Sequence, residues 1–160
     1  MVRVNRILAD AEYIKLIKEI EELEVDRIYC RHDMTHFLDV ARIARLICVD
    51  ENIKCEASSI YAAALLHDIG RGVQYKNGTP HEEASYRLAP PILERAGYLA
   101  DESKEILIAI KEHGNEAIKE VRGLEGVIYR ADKLSRKCYH CTSTDTCHKA
   151  LYKRNMEIRY

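Results

Sequence analysis

The stretch AAALLHDIGR, Ala62 to Arg71, drives a histidine and an aspartate, His67 and Asp68, into an otherwise apolar segment. A buried carboxylate is unfavourable unless a cation or hydrogen-bond donors face it. Two chemistries answer for the pair: a buried His–Asp hydrogen bond that holds the fold, or two ligands of a metal ion. The other histidines bear on that choice. His36 shares a helical stripe with Val40, Ile43 and Ile47, His67 follows Ile60, Ala63 and Ala64, and His113 follows Ile106, Ala109 and Ile110. Asp132 lies one turn beyond Ile128. Each of these polar residues falls on the apolar side of its own helix. Together with Asp68 and a helix-opening His81, they describe a shared polar centre inside a helical core. Imidazole with carboxylate suits Mn, Fe(II), Co, Ni or Zn, and such an ion compensates the charges of Asp68 and Asp132 at once.

The elements that must position these residues are helices throughout. Apolar periodicity predicts them at about 9–24, 35–52, 56–69, 80–96, 101–113 and 123–137, with a short one near 148–156, and no segment alternates long enough to make a strand. The fold class is therefore all-α, a single domain of about six to seven helices over residues 1–160. Asp33 or Thr35 can cap the second helix, Thr79 with Pro80 and Glu82 the fourth, and Asp101 the fifth. Gly70, Gly97 and Gly114 stand where helices are expected to stop, and Pro90-Pro91 should kink or split the fourth helix. The segment GRGVQYKNGT directly after His67-Asp68 reads as a loop suited to substrate binding.

Composition narrows the classes of partner. At 160 residues and a net charge of −1, the chain offers one core and no general basic field for nucleic acid or an anionic membrane. Nowhere do the roughly 18 consecutive apolar residues of a membrane span occur, and the N-terminus is too charged for a signal peptide. These features read as a soluble, cytoplasmic protein.

In order, His36, His67-Asp68, His81, His113 and Asp132 resemble the HD-domain superfamily of metal-dependent phosphohydrolases. THFLDVARIA resembles its first-histidine helix, ALLHDIGR its namesake motif, IKEHG its later histidine and YRADKLSR its closing aspartate. The resemblance runs from about Cys30 to Arg136 and implies a helical bundle of the HD type. It places one metal on His36, His67, Asp68 and Asp132, and a second on His81 and His113, with Asp68 bridging. The chemistry implied is attack of metal-activated water on phosphorus, the substrate being a small phosphorylated compound such as a nucleotide. Arg71, just past the motif, and Arg136, one turn beyond Asp132, are placed to meet phosphate oxygens; Lys133 ranks below them because it points about 100° from Asp132 on an ideal helix. Asp39 is either a partner of the His36 imidazole or an exposed helix residue. Two departures bear on substrate. The glycine-tyrosine-proline signature of the cyclic-di-GMP enzymes is missing, and Gly114 follows His113 where the dinucleoside-polyphosphate branch carries threonine. The loops at 71–80 and 114–122 are expected to set specificity.

Six cysteines complete the inventory. Cys138, Cys141 and Cys147 crowd into KCYHCTSTDTCHK, a Cys-x2-Cys knuckle closed by a third thiol, within an extension at 137–155. If the helices of His36 and Asp132 run antiparallel, Cys30 reaches the same end and completes a zinc or iron–sulfur site, with His140 or His148 as substitutes for a cysteine. Cys48 and Cys55 read as ordinary core or loop residues. Two other functions fit the same ligands: a sensor that binds metal or nucleotide without turnover, and a di-iron oxygenase. Homo-oligomers are compatible with everything above.

Overall fold

The computed structural model describes all 160 residues, and every regular element in it is helical. Eight α-helices run α1 (Val2–Leu8), α2 (Ala11–Leu23), α3 (Met34–Asp50), α4 (Ala57–Leu66), α5 (Arg71–Asn77), α6 (His81–Ala96), α7 (Ala100–Glu112) and α8 (Leu124–Leu134). Short 3-10 turns follow at Glu116–Ile118, Cys138–His140 and Leu151–Lys153. The six longer helices are those the periodicity predicts. Two seven-residue helices, α1 and α5, are additional, and the helix expected near 148–156 is a 3-10 turn.

α4 sits at the centre because it has no polar face. Ile60, Ala62, Ala63, Ala64, Leu65 and Leu66 are all fully buried, and even Ser58 and Ser59 are covered. α3 packs on α4 and α8, α7 packs on α6, α8 and α4, and α1 and α2 close the far side against α6 and α5. One continuous apolar cluster joins these helices, from Val4 and Ile7 through Phe37, Ile47 and Leu66 to Ile110 and Ala131.

Several local expectations are corrected. Pro90 and Pro91 lie inside α6, which runs through them unbroken. The carbonyls they leave without partners belong to Tyr86 and Arg87 one turn back, both exposed residues on the solvent side of the helix, where the loss is least costly. α6 begins at His81 without a side-chain cap, because the Asn77 side chain accepts from the Thr79 amide and holds that residue in a turn outside the helix. α7 starts at Ala100, one residue earlier than expected; Glu102 reaches back to the Leu99 amide at 2.9 Å, and Asp101 lies within the first turn rather than before it. α4 ends at Leu66, not at Gly70. The segment after His67-Asp68 is not an open loop either: α5 forms there and packs on α2 and α6, with Lys76 paired to Glu19 at 2.6 Å.

Gly70 has a structural reason of a different kind. Its φ of −80° suits any residue. A Cβ built on it, however, would come within 2.4 Å of the His81 carbonyl oxygen and 2.5 Å of the Ser85 amide nitrogen. The Gly70 amide donates to Ser85 Oγ at 2.8 Å. The turn carrying His67-Asp68 is thus pressed against the first turn of α6, and this contact sets the position of His81.

Candidate metal centre

The site is built from helix ends. His36 sits in the first turn of α3, its amide held by the capping Asp33 side chain at 2.9 Å. His67 and His113 are the C-terminal caps of α4 and α7, His81 opens α6, and Asp132 lies in the last turn of α8. Terminal carbonyls of a helix lack intrahelical partners. His67 and His113 use this: Nδ1 of His67 donates to the Ala64 carbonyl at 2.7 Å, and Nδ1 of His113 to the Ile110 carbonyl at 2.6 Å. Each bond satisfies an orphan acceptor and leaves the ring's Nε2 as a lone pair directed inward.

Two more imidazoles are set the same way. The Ser135 hydroxyl donates to the Asp132 carbonyl at 2.8 Å, which leaves its oxygen to accept from Nδ1 of His36 at 3.3 Å. Nδ1 of His32 donates to Glu24 at 2.5 Å. Four rings therefore present Nε2 lone pairs to a common centre. His81 adds a fifth ring, its Nε2 3.0 Å from that of His113; its Nδ1 is buried and makes no hydrogen bond, although Glu82 lies 2.9 Å away.

Asp68, fully buried, stands between two halves of this cluster. Its Oδ2 faces Nε2 of His67 (3.3 Å), His36 (3.6 Å) and His32 (3.7 Å). Its Oδ1 faces Nε2 of His81 (3.2 Å) and His113 (3.6 Å). Asp132 Oδ1 joins the first half, 3.6 Å from His36. Ligand atoms of His36, His67 and Asp132 lie within 4.8 Å of one another, as do those of His67, Asp68 and His113. Lone pairs and carboxylates crowded this closely repel unless a cation sits among them, so the donor set fits divalent metal.

Cationic side chains hold the carboxylates ionised. Burial alone would raise Asp68, but the Arg71 guanidinium, its Nε at 2.8 Å, keeps its carboxyl well below the usual range. Burial would likewise raise Asp132, and Lys133 at 2.5 Å with Arg136 at 3.5 Å holds it well below. The Lys133 stem curls back to reach Asp132, and its ammonium also donates to the His113 carbonyl at 3.1 Å. Burial pushes His81 down to about 3, so its ring is neutral and available as a donor of electrons.

A cavity of about 530 Å³ opens onto the first half of the cluster through His32, His36, Asp132 and Arg71. Seven cationic residues line it (Arg27, Arg31, Arg71, Arg136, Lys137, Lys149, Arg154) against three acidic ones, Asp33, Asp39 and Asp132. On a chain of net charge −1, this is a concentrated positive lining. Its walls correct an expectation: they come from residues 27–39 and 132–154, with only Arg71 from the 71–80 segment and none from 114–122. α5 takes most of the former into packing, and the latter lies elsewhere on the bundle. Asp39 lines this cavity as the partner of Lys137 at 2.8 Å, not of His36.

Sequence reasoning missed His32, Glu24 and Ser135. His32 precedes α3 and belongs to no helical stripe; its signal was the four-residue spacing to His36. Glu24, at 3% exposure, hides in the charged run EELEVD.

The sequence model of the HD domain matches residues 33–137, about two-thirds of the chain. The chain belongs to the HD-domain family. This is the general class of metal-dependent phosphohydrolases, and the all-helical bundle agrees with it. The domain is similar to a protein of Clostridium beijerinckii (strain ATCC 51743 / NCIMB 8052) described as uncharacterized, with 43% identity over 160 residues and full coverage of both chains. No solved structure matches. No helix of this HD domain is long and apolar enough to cross a membrane.

The cysteines take distinct places. Cys30, Cys138, Cys141 and Cys147 are free thiols lining the same cavity, with His140 and His148 beside them. Neither of the two tight groups of ligand atoms includes a cysteine. Cys48 is buried on α3 close to Cys55, away from the cavity.

Proposed function

We propose that this HD domain is a metal-dependent phosphohydrolase cleaving a phosphate ester or anhydride of a small compound, a nucleotide or a close relative, within the cytoplasm. The observation that carries the reading is the convergence of inward Nε2 lone pairs and two ionised carboxylates at the floor of a cation-lined cavity. A cavity of this volume takes a ligand of nucleotide size, and its charge selects an anion.

His36, His67 and Asp132, with His32 beside them, would hold one divalent ion, His81 and His113 a second, with one Asp68 oxygen toward each. Bound there, divalent metal (Mn, Fe, Co, Ni or Zn) supplies Lewis acidity and an activated water for attack on phosphorus. The chain's own residues do the positioning. Arg71 and Arg136 border both the carboxylates and the cavity, where they can pass from carboxylate to phosphate oxygens. Lys133 does not line the cavity, and its role is to fix Asp132 and the end of α7.

The test is a screen of phosphomonoesters, phosphodiesters and nucleotide anhydrides on metal-stripped protein resupplied with Mn, Fe(II), Co, Ni, Zn or Mg. Turnover restored by one metal and lost in Asp68→Ala, together with its bound metal, supports the reading. Asp68→Ala should also lose about 3 kcal/mol of stability, since Arg71 and the imidazoles lose their common partner. Nucleotide binding without turnover under any metal would replace hydrolysis with a sensing role.

A further inference from the structure

The tail beyond α8 has no visible means of holding itself in place by packing. From Arg136 to Tyr160 not one residue is buried, and the longest regular element is a 3-10 turn. An ordered segment must offset its lost chain entropy, and a segment that buries no apolar side chain needs a crosslink or a metal to do so. The tail is nevertheless folded back on the loop before α3. Tyr29 Oη donates to the Thr146 carbonyl at 3.0 Å, Ser143 Oγ donates to the Ile28 carbonyl at 2.9 Å, and the Tyr29 and His148 rings meet edge to face at 5.7 Å. The next residue in that loop is Cys30.

Three cysteines of the tail line the same cavity as Cys30. Cys138 and Cys141 bracket a 3-10 turn, closed by the Cys141 amide on the Cys138 carbonyl at 3.3 Å, and the Cys147 amide closes a second turn on Thr144 at 3.3 Å. Arg154 then ties that second turn down, donating to the carbonyls of Thr144, Cys147 and Lys149, each at 2.8 Å. Arg136 and Lys149 line the cavity together with these cysteines. Thiols flanked by fixed cations are the ones whose ionised form a metal can capture.

We infer that Cys30, Cys138, Cys141 and Cys147 form a second metal site, a closed four-thiolate zinc site that fastens the tail across the mouth of the cavity. Four sulfurs in a Cys-x2-Cys turn, a third thiol six residues on and a fourth from a facing loop satisfy tetrahedral zinc with no open position, the arrangement of a structural site. The sulfurs draw onto the ion as it binds, as in small domains whose sites form together with the fold. The site is separate from the imidazole–carboxylate centre, which contains no sulfur.

Cobalt(II) added to reduced, metal-stripped full-length protein tests this. A thiolate-to-cobalt charge-transfer band should appear, since the imidazole–carboxylate centre cannot give one. It should persist in Asp68→Ala, which separates this site from the one proposed for hydrolysis. Cys30→Ser should lower its intensity by roughly a quarter or more, Cys141→Ser likewise, and Cys48→Ser should leave it unchanged. Zinc should displace the band and protect cysteines 30, 138, 141 and 147 from alkylation, as mapped by peptide mass. Absence of the band, a full band in Cys30→Ser, or iron with sulfide in anaerobically purified protein would overturn the assignment.

Discussion

His67 and His113 stand edge to face, their ring centroids 5.0 Å apart at 88°, and each ends its helix by donating Nδ1–H to the carbonyl three residues back. The same bond that finishes a helix also chooses the tautomer. The rings are thus locked by backbone on one edge and free for metal on the other, and Asp68 divides them between two half-sites. His113→Ala or His81→Ala should therefore leave about one metal per chain while lowering turnover by about 100-fold. Metal analysis with steady-state kinetics reads both. Full activity in each variant would mean that the His81 half of the cluster serves the fold alone.

Gly70→Ala should act on the site without touching a ligand. The added methyl meets the His81 carbonyl and the backbone of Ser85, neither of which can swing aside, so α6 must shift. The expected loss is about 1–3 kcal/mol of stability together with the metal bound through His81, while the metal on the His36 side stays. Denaturant melts and metal stoichiometry check this. A variant that keeps both metals and its stability would show that α6 moves freely.

The residues that sequence made legible are those on helix stripes. His36, His67, His113 and Asp132 could be read as inward-facing because Val40, Ala64, Ile110 and Ile128 define the face each belongs to. Asp68 could be read from the apolar segment that carries it and His81 from its place at a helix start; their division between two metals followed from the resemblance. His32 could not be read this way, since a loop has no period, and Glu24 sits among acidic neighbours that face water. α5 was missed for a related reason: Gly70, Gly72 and Gly78 read as turn residues, whereas Gly70 serves a close approach, Gly72 lies against the Glu19 side chain and only Gly78 takes a positive φ, of 80°. The cavity walls come from loop and tail, where neither periodicity nor spacing says what packs on what.

Glu24 should prove to be the residue that orients His32. Its buried carboxylate accepts from the His32 amide at 2.8 Å, from His32 Nδ1 at 2.5 Å and from Tyr75 Oη at 2.5 Å. Burial pushes it up, yet His32 and Tyr75 outweigh that and bring it down to about 2. Glu24→Gln removes the acceptor that fixes the ring. We expect metal affinity to fall about 10- to 100-fold and stability by about 1–3 kcal/mol. Isothermal titration of metal into stripped protein measures the first. Lowered stability with unchanged affinity would restrict Glu24 and His32 to holding the loop before α3.

Asp10 offers a prediction far from the metal centre and independent of it. Its carboxylate caps α2 by accepting from the amides of Glu12 at 3.0 Å and Tyr13 at 3.1 Å. Arg95, in the last turn of α6, donates to the same carboxylate at 2.7 and 3.0 Å, so one side chain joins the start of α2 to the end of α6. The Arg95 bonds come first among the causes that lower Asp10 below its ordinary 3.8; partial burial opposes them, and the Tyr13 amide assists. Because the folded value is depressed, the stabilisation is fully present above 3.8 and is lost as pH falls through the folded value. Asp10→Ala should cost about 1–2 kcal/mol at neutral pH. Its gap to the parent protein should hold down to about pH 5 and then shrink as the parent's own carboxylate takes up a proton. Asp10→Asn, which keeps the capping oxygen and loses the charge, should fall between the two at neutral pH. Urea melts of the three proteins across this range make the comparison. A gap that stays constant into acid would mean that cap geometry alone, and not the ion pair with Arg95, holds the two helices together.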